Sequence, residues 1–198
     1  MRIPFVNNDD LDATANRFLL KHHPGGTFPV PIEEILDVQM HIDIIPVENL
    51  RNRFDIDAYT SCDLTSIYID ARDYYGQTNR FRFSLAHEAA HIILHRDFIA
   101  TKQCATVGDW KSAVAALSDD QYIRLEHQAN VVAGGIMAPR KLLIARYRLH
   151  EAQLRKAYPA LHSWELRGQI EANLSRDFRI STEAIHRRCE YIEIEIAA

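Results

Sequence analysis

The chain has few of the residues that staple a fold or carry it into a membrane. Among its 198 residues only Cys62, Cys104 and Cys189 are cysteines. They are odd in number, far apart and never in CxxC spacing, which argues against a disulfide framework and against a thiolate zinc site. A reducing cytoplasm is the expected compartment. No apolar run approaches the roughly 18 residues that a bilayer span needs. The start, MRIPFVNNDD, turns polar too early for the apolar core of a signal peptide. There is no long lysine or arginine run and the net charge is −4, so unaided DNA or membrane binding is not expected. Internal repeats, low-complexity tracts and flexible linkers are missing too. What remains is the composition of a globular protein, and the length suits one domain over 1–198 that buries about 70% of its unfolded surface.

Along the chain, residues 9–22 open with acids and carry Leu11, Phe18 and Leu19 at helical spacing, so a first helix is expected there. HPGGTFPVP then breaks the chain. Ile32–Met40 reads as a short second helix, with Pro31 at its start and Glu33 and Glu34 favoured by the helix dipole. His41–Ile45 is β-like and ends at Pro46. Residues 55–70 read as a hairpin turning at Cys62-Asp63, and its second strand, 64–70, is a candidate edge for pairing with an extended peptide. From about 80 to 190 the pattern is mostly helical. Strands first and helices after predict an α+β layer structure. At the end Ile192, Ile194 and Ile196 alternate with Glu193 and Glu195, which predicts a terminal strand over 191–196.

The chemistry concentrates in SLAHEAAHIILHRD, residues 84–97, which contains an HExxH pattern. Nothing between Ala86 and Leu94 breaks a helix, so His87 and His91 should lie one turn apart on one face and converge on a single ion. Glu88, one position along, would reach a water beside that ion rather than the ion itself. Satisfied core histidines are the plainer alternative. Against it, three ionisable groups on one turn of an apolar helix are costly to bury without a common partner. His95 is eight residues from His87, roughly 12 Å along a straight helix, too far to share the ion.

The third ligand must then come from elsewhere. Ser118-Asp-Asp-Gln121 has the form of a capping box opening a helix that runs to Pro139. On it Tyr122, Leu125, Ala129, Val132, Ala133 and Ile136 make an apolar stripe, and Glu126 falls inside that stripe. A carboxylate there needs a counter-charge, which makes Glu126 the leading candidate and His127, at the stripe's margin, the runner-up. His95 and Asn130 are candidates to stand behind the ligands and hold them. Gly134 and Gly135 each cost about 1 kcal/mol in a helix interior, and close packing against the motif helix would account for them.

Taken together, these residues resemble the ImmA/IrrE family of zinc-dependent metallo-endopeptidases. The likeness rests on Ala86-His87-Glu88-Ala89-Ala90-His91 and, downstream, on Glu126, Ala129, Asn130, Ala133 and Pro139 at the family's spacing. Ile67-Tyr68-Ile69-Asp70 and FRISTEAIHRRC resemble further family segments, so the likeness spans about 30–190. Departures are Val132, the glycine pair and Ile136-Met137-Ala138.

The resemblance implies a zincin-like α+β fold, with a small β-sheet followed by a helical part carrying the HExxH helix and a second ligand helix. It implies a zinc ion held by His87, His91 and Glu126, with Glu88 as general base for peptide hydrolysis. Segment 98–117 would border the cleft. It also implies a protein partner, a helix-turn-helix repressor supplied in trans, since only about 30 residues precede the core. The competing expectation is a regulator that binds a repressor or DNA without cutting. It draws on Ser181 and HRRC as a loose recognition helix, whereas an amphipathic helix completing the core explains the same residues.

Overall fold

The computed structural model describes residues 2–76, 78–102, 104 and 106–194. It is a mixed α+β structure in which helices predominate. The chain begins with α1 (Asn8–His22), whose start is fixed by the Asn7 side chain accepting from the Asp10 N–H, with Asp9 and Asp10 in the first turn. Next, α2 (Ile32–Glu34) passes into a π-helical turn, Ile35–Gln39. The sheet follows: β1 (Asp43–Val47), α3 (Leu50–Phe54), β2 (Ala58–Thr60) and β3 (Ser66–Asp70). Then come α4 (Ala71–Gly76), α5 (Asn79–Leu94), α6 (Arg96–Ala100), α7 (Val107–Ala115) and α8 (Asp119–Met137). Three helices close the described chain: α9 (Arg140–Ala157), α10 (Ser163–Phe178) and α11 (Thr182–Tyr191). Among the described residues no helix is long and apolar enough to cross a membrane.

The sheet order is β1-β3-β2, with β1 parallel and β2 antiparallel to β3. The expected hairpin is present, but β3 is the central strand and both its edges are already paired. The reading of 64–70 as a free edge is therefore wrong, and the open edge on this side belongs to β2. Local alternation cannot reveal which strand of a hairpin receives a third partner, because β1 arrives from 23 residues upstream. β1 also runs on through Pro46, opposite Ile69. An edge strand tolerates the missing N–H.

Small residues bring the two motif helices together. Ala86, Ala89 and Ala90 on α5 and Ala129 and Ala133 on α8 are all fully buried, and α5–α8 is the most extensive helix interface among the described elements. A second apolar cluster joins Ile3, Leu50, Tyr59, Phe98, Trp110 and Leu125 beneath the sheet end of the molecule.

The glycine pair has a different partner from the one expected. A Cβ on Gly135 would lie 2.7 Å from Ala15 Cβ on α1, and one on Gly134 would lie 3.3 Å from Arg188 Cδ. The close approach is thus between α8, α1 and α11, not between α8 and the motif helix. Behind the glycines, buried Arg188 donates to Asp12 at 2.8 Å. Gly135→Ala should lower stability by about 1–3 kcal/mol, the cost of overpacking outweighing alanine's better helix propensity, read as a shift of the denaturation midpoint.

Three further expectations need correction. Ser118 caps α8 without a side-chain hydrogen bond, and the Gln121 side chain accepts instead from the Ile3 N–H at 2.7 Å. Cys62 and Cys104 are disulfide-bonded with Cα atoms 5.7 Å apart, leaving Cys189 as the free, buried cysteine. That bond ties the β2–β3 turn to the segment before α7, a juxtaposition made by the tertiary fold across 42 residues of sequence. The terminal strand does not form over the described part of 191–196. Tyr191 ends α11, and Ile192–Ile194 fold back so that the Ile194 N–H donates to the Cys189 carbonyl at 3.0 Å. Ile192 and Ile194 are buried by this turn, so their alternating pattern serves a helix tail. Residues 195 and 196 lie outside the described residues.

Candidate metal centre

His87 and His91 sit on α5, whose N-terminus is set by Thr78 accepting from the Phe81 N–H at 3.0 Å. Their Nε2 atoms are 3.0 Å apart. From α8, Glu126 brings Oε2 to 3.3 Å from His87 Nε2 and Oε1 to 3.7 Å from His91 Nε2. Helical period alone puts the imidazoles one above the other, and the alanine-lined α5–α8 contact delivers the carboxylate. The Glu126 side chain is one-third exposed, more open than its place in the stripe suggested. His127 is exposed at the cleft wall and is not part of the cluster. Tyr122, also read as part of the buried stripe, is 45% exposed at the cleft wall.

These three side chains fit a divalent cation with nitrogen and oxygen ligands. Asn130 Oδ1 stands 3.1 Å from His87 Nδ1 and can only accept, so neutral His87 carries its proton on Nδ1 and turns a bare Nε2 inward. Acceptors thus converge on one point, an arrangement that calls for a positive charge between them. Protonation is the lesser answer to the same demand. Burial lowers the His87 pKa, but the Glu126 hydrogen bond and the Glu88 charge outweigh it, and the net shift is upward. His91 is pushed well below its usual value, first by burial and then by the neighbouring imidazoles.

Glu88 is 5% exposed and opens on the same cleft. Its Oε2 accepts from Thr60 Oγ1 at 2.8 Å. Burial raises the Glu88 pKa despite the opposing His87 charge and the Thr60 bond. Thr60, on β2 and fully buried, gives no sequence signal, because only the docking of β2 against α5 brings it to Glu88. Thr60→Val keeps the shape and removes the donor. It should destabilise the fold by about 1–3 kcal/mol, measurable by denaturant titration, and slow any reaction that uses Glu88.

Behind the paired imidazoles, His95 Nδ1 is 3.0 Å from His91 Nδ1, and His95 Nε2 is 3.0 Å from Gln128 Oε1. His95 ends α5 and is 3% exposed. Gln128 is a second residue that pattern reading missed.

The centre lies in a cleft of about 1060 Å³. Asp57 and Ala58 bring the open edge of β2 to one side of it. Trp110, Lys111 and Val114 of α7 form a wall, and Ser181, which caps α11, lines the cleft with Ala184 and Arg187 of that helix. The 98–117 segment thus reaches the cleft through α7. Ile185, Arg188 and Cys189 of α11 are buried, and exposed Arg187 pairs with Glu183. The helix containing HRRC completes the core rather than presenting a basic reading face.

Comparison with known proteins bears on this geometry. The family described as Peptidase_M78, IrrE N-terminal-like domain, matches residues 59–190, from β2 through α11. No curated protein matches the chain significantly. Among solved structures, a Mycobacterium tuberculosis transcriptional regulator superposes with a TM-score of 0.54 at 19% identity. The alignment covers 92% of this chain and 57% of that one, so the two share a fold while this chain spans little more than half of the other's length. Since the family match takes in both motif helices and more than half of the residues, the chain belongs to the Peptidase_M78 family, the IrrE N-terminal-like domain.

Proposed function

We propose that the chain is a zinc-dependent endopeptidase of zincin type, forming one metallopeptidase domain and acting on a helix-turn-helix repressor. The observation that carries this reading is the meeting of His87, His91 and Glu126 at one point in a cleft that also exposes Glu88. Zinc held by those three residues would supply Lewis-acid polarisation of the scissile carbonyl and make water acidic enough to ionise near neutral pH.

The remaining steps belong to the chain's own residues. With Oε2 held by Thr60, Glu88 Oε1 takes a proton as the water oxygen attacks the carbonyl carbon. The same carboxyl then gives that proton to the amide nitrogen as the C–N bond breaks. Burial of Glu88 favours its protonated form, which suits it to carry the proton between the two steps. An extended substrate would lie along the outer edge of β2, pairing with the backbone around Ala58. α7 and Tyr122 would wall it in.

The test is to mix zinc-loaded protein with a helix-turn-helix repressor encoded beside it and to analyse the products by mass spectrometry. Two fragments sharing one new terminus are expected. A repressor that stays intact while forming a stable complex would favour the non-catalytic regulator. DNA binding that weakens steeply with salt would do the same for a direct DNA reader.

A further inference from the structure

We propose that Gln128, fastened to the N-terminal segment, fixes the proton position on His91 and so sets how tightly the centre holds its metal. The inference rests on the metal reading above and adds a positioning residue to it.

The argument starts at a group that cannot change its role. The Pro4 carbonyl can only accept, and Gln128 Nε2 donates to it at 2.7 Å. That bond turns the amide oxygen, Oε1, toward His95 Nε2, 3.0 Å away. Oε1 can only accept as well, so His95 Nε2 carries the proton and neutral His95 offers a bare Nδ1. His91 Nδ1 stands 3.0 Å from that atom and must therefore be the donor. Neutral His91 is left with its lone pair on Nε2, the atom that faces His87 and Glu126. Every link donates away from the metal cluster, and the direction is dictated by a backbone carbonyl at the far end.

Burial keeps the chain of bonds from being rewritten by solvent. His91, His95 and Gln128 are each at most 3% exposed. The segment that supplies the carbonyl is itself held. Ile3 is 1% exposed, its N–H donates to Gln121 Oε1 at 2.7 Å, and its carbonyl accepts from Arg124 Nη1 at 3.2 Å. Gln121, Arg124 and Gln128 form one row along α8, so residues 3 and 4 lie across that helix like a strap. The α8 helix thus serves the centre three times, with Glu126 inside the cleft, Asn130 beside His87 and Gln128 behind His91 and His95.

The experiment measures zinc affinity of the full chain by competition with a chromophoric chelator, alongside nitrogen-15 spectra of the histidine rings without metal. Gln128→Met fills the same space with only a weak thioether acceptor and no donor, and should bind zinc about 10–100-fold more weakly. Gln128→Glu keeps an acceptor toward His95 and, protonated on its other oxygen so that it still donates to the Pro4 carbonyl, should bind within a few-fold of wild type. The His91 spectrum should show Nδ1–H in wild type and in Gln128→Glu, and a mixture in Gln128→Met. Undiminished affinity in Gln128→Met, or equal losses in both variants, would overturn the proposal. If wild type takes up no zinc at all, the metal reading fails. The ring spectrum of wild type then still decides this inference, and Nε2–H on His91 would sink it.

Discussion

Glu88→Gln protein is expected to keep its zinc and to lose peptide cleavage by about 10²–10⁴-fold, the usual contribution of a positioned proton carrier. The substitution suits the site because a glutamine amide oxygen can still accept from Thr60 at the position of Glu88 Oε2. Packing around a 5% exposed side chain is thereby kept. Only the capacity to take a proton goes. Zinc content by atomic absorption and fragment yield by mass spectrometry separate the two properties. Retained metal with unchanged cleavage would remove Glu88 from the chemistry and end the peptidase mechanism.

Glu126→Ala should have the complementary effect, weakening zinc binding by more than about 100-fold while the fold survives. Losing a direct ligand should exceed the 10–100-fold typical of changes to groups behind the ligands. The Glu126 side chain is one-third exposed, so its removal leaves little buried void and no stranded partner besides the imidazoles. Circular dichroism checks the fold and chelator competition reads the metal. His127→Ala, changing an exposed residue outside the cluster, should leave zinc affinity in place. Equal affinities for wild type and Glu126→Ala would break the three-ligand assignment.

The parts of this site legible in the sequence are those that depend on the period of one helix. His87 and His91 fall one turn apart because α5 is unbroken, and Glu126 falls on the packed side of α8 because its apolar neighbours mark that side. Groups supplied by docking left no such trace. Thr60 comes from a three-residue strand and Pro4 from the segment before α1, and neither sits in a pattern that names its partner. The same limit explains the other differences. Alternation in a hairpin does not say which strand becomes central, and β3 has the pattern of an edge although β1 and β2 flank it. Cysteine spacing does not say which loops meet, so the Cys62–Cys104 bond leaves no mark in the sequence. The isoleucines at the end alternate as a strand would, yet hydrogen bonds back to α11 capture the first two in a helix tail.

The brevity of β2 has a consequence for selectivity. Three residues of strand extend about 10 Å, room for only two or three backbone pairings with a visiting peptide. On the peptidase reading, such a grip would hold a polypeptide in line through backbone bonds, which do not distinguish its sequence. Discrimination would then fall to docking between folded bodies outside the groove, with a short unfolded loop of the target threading in to be cut.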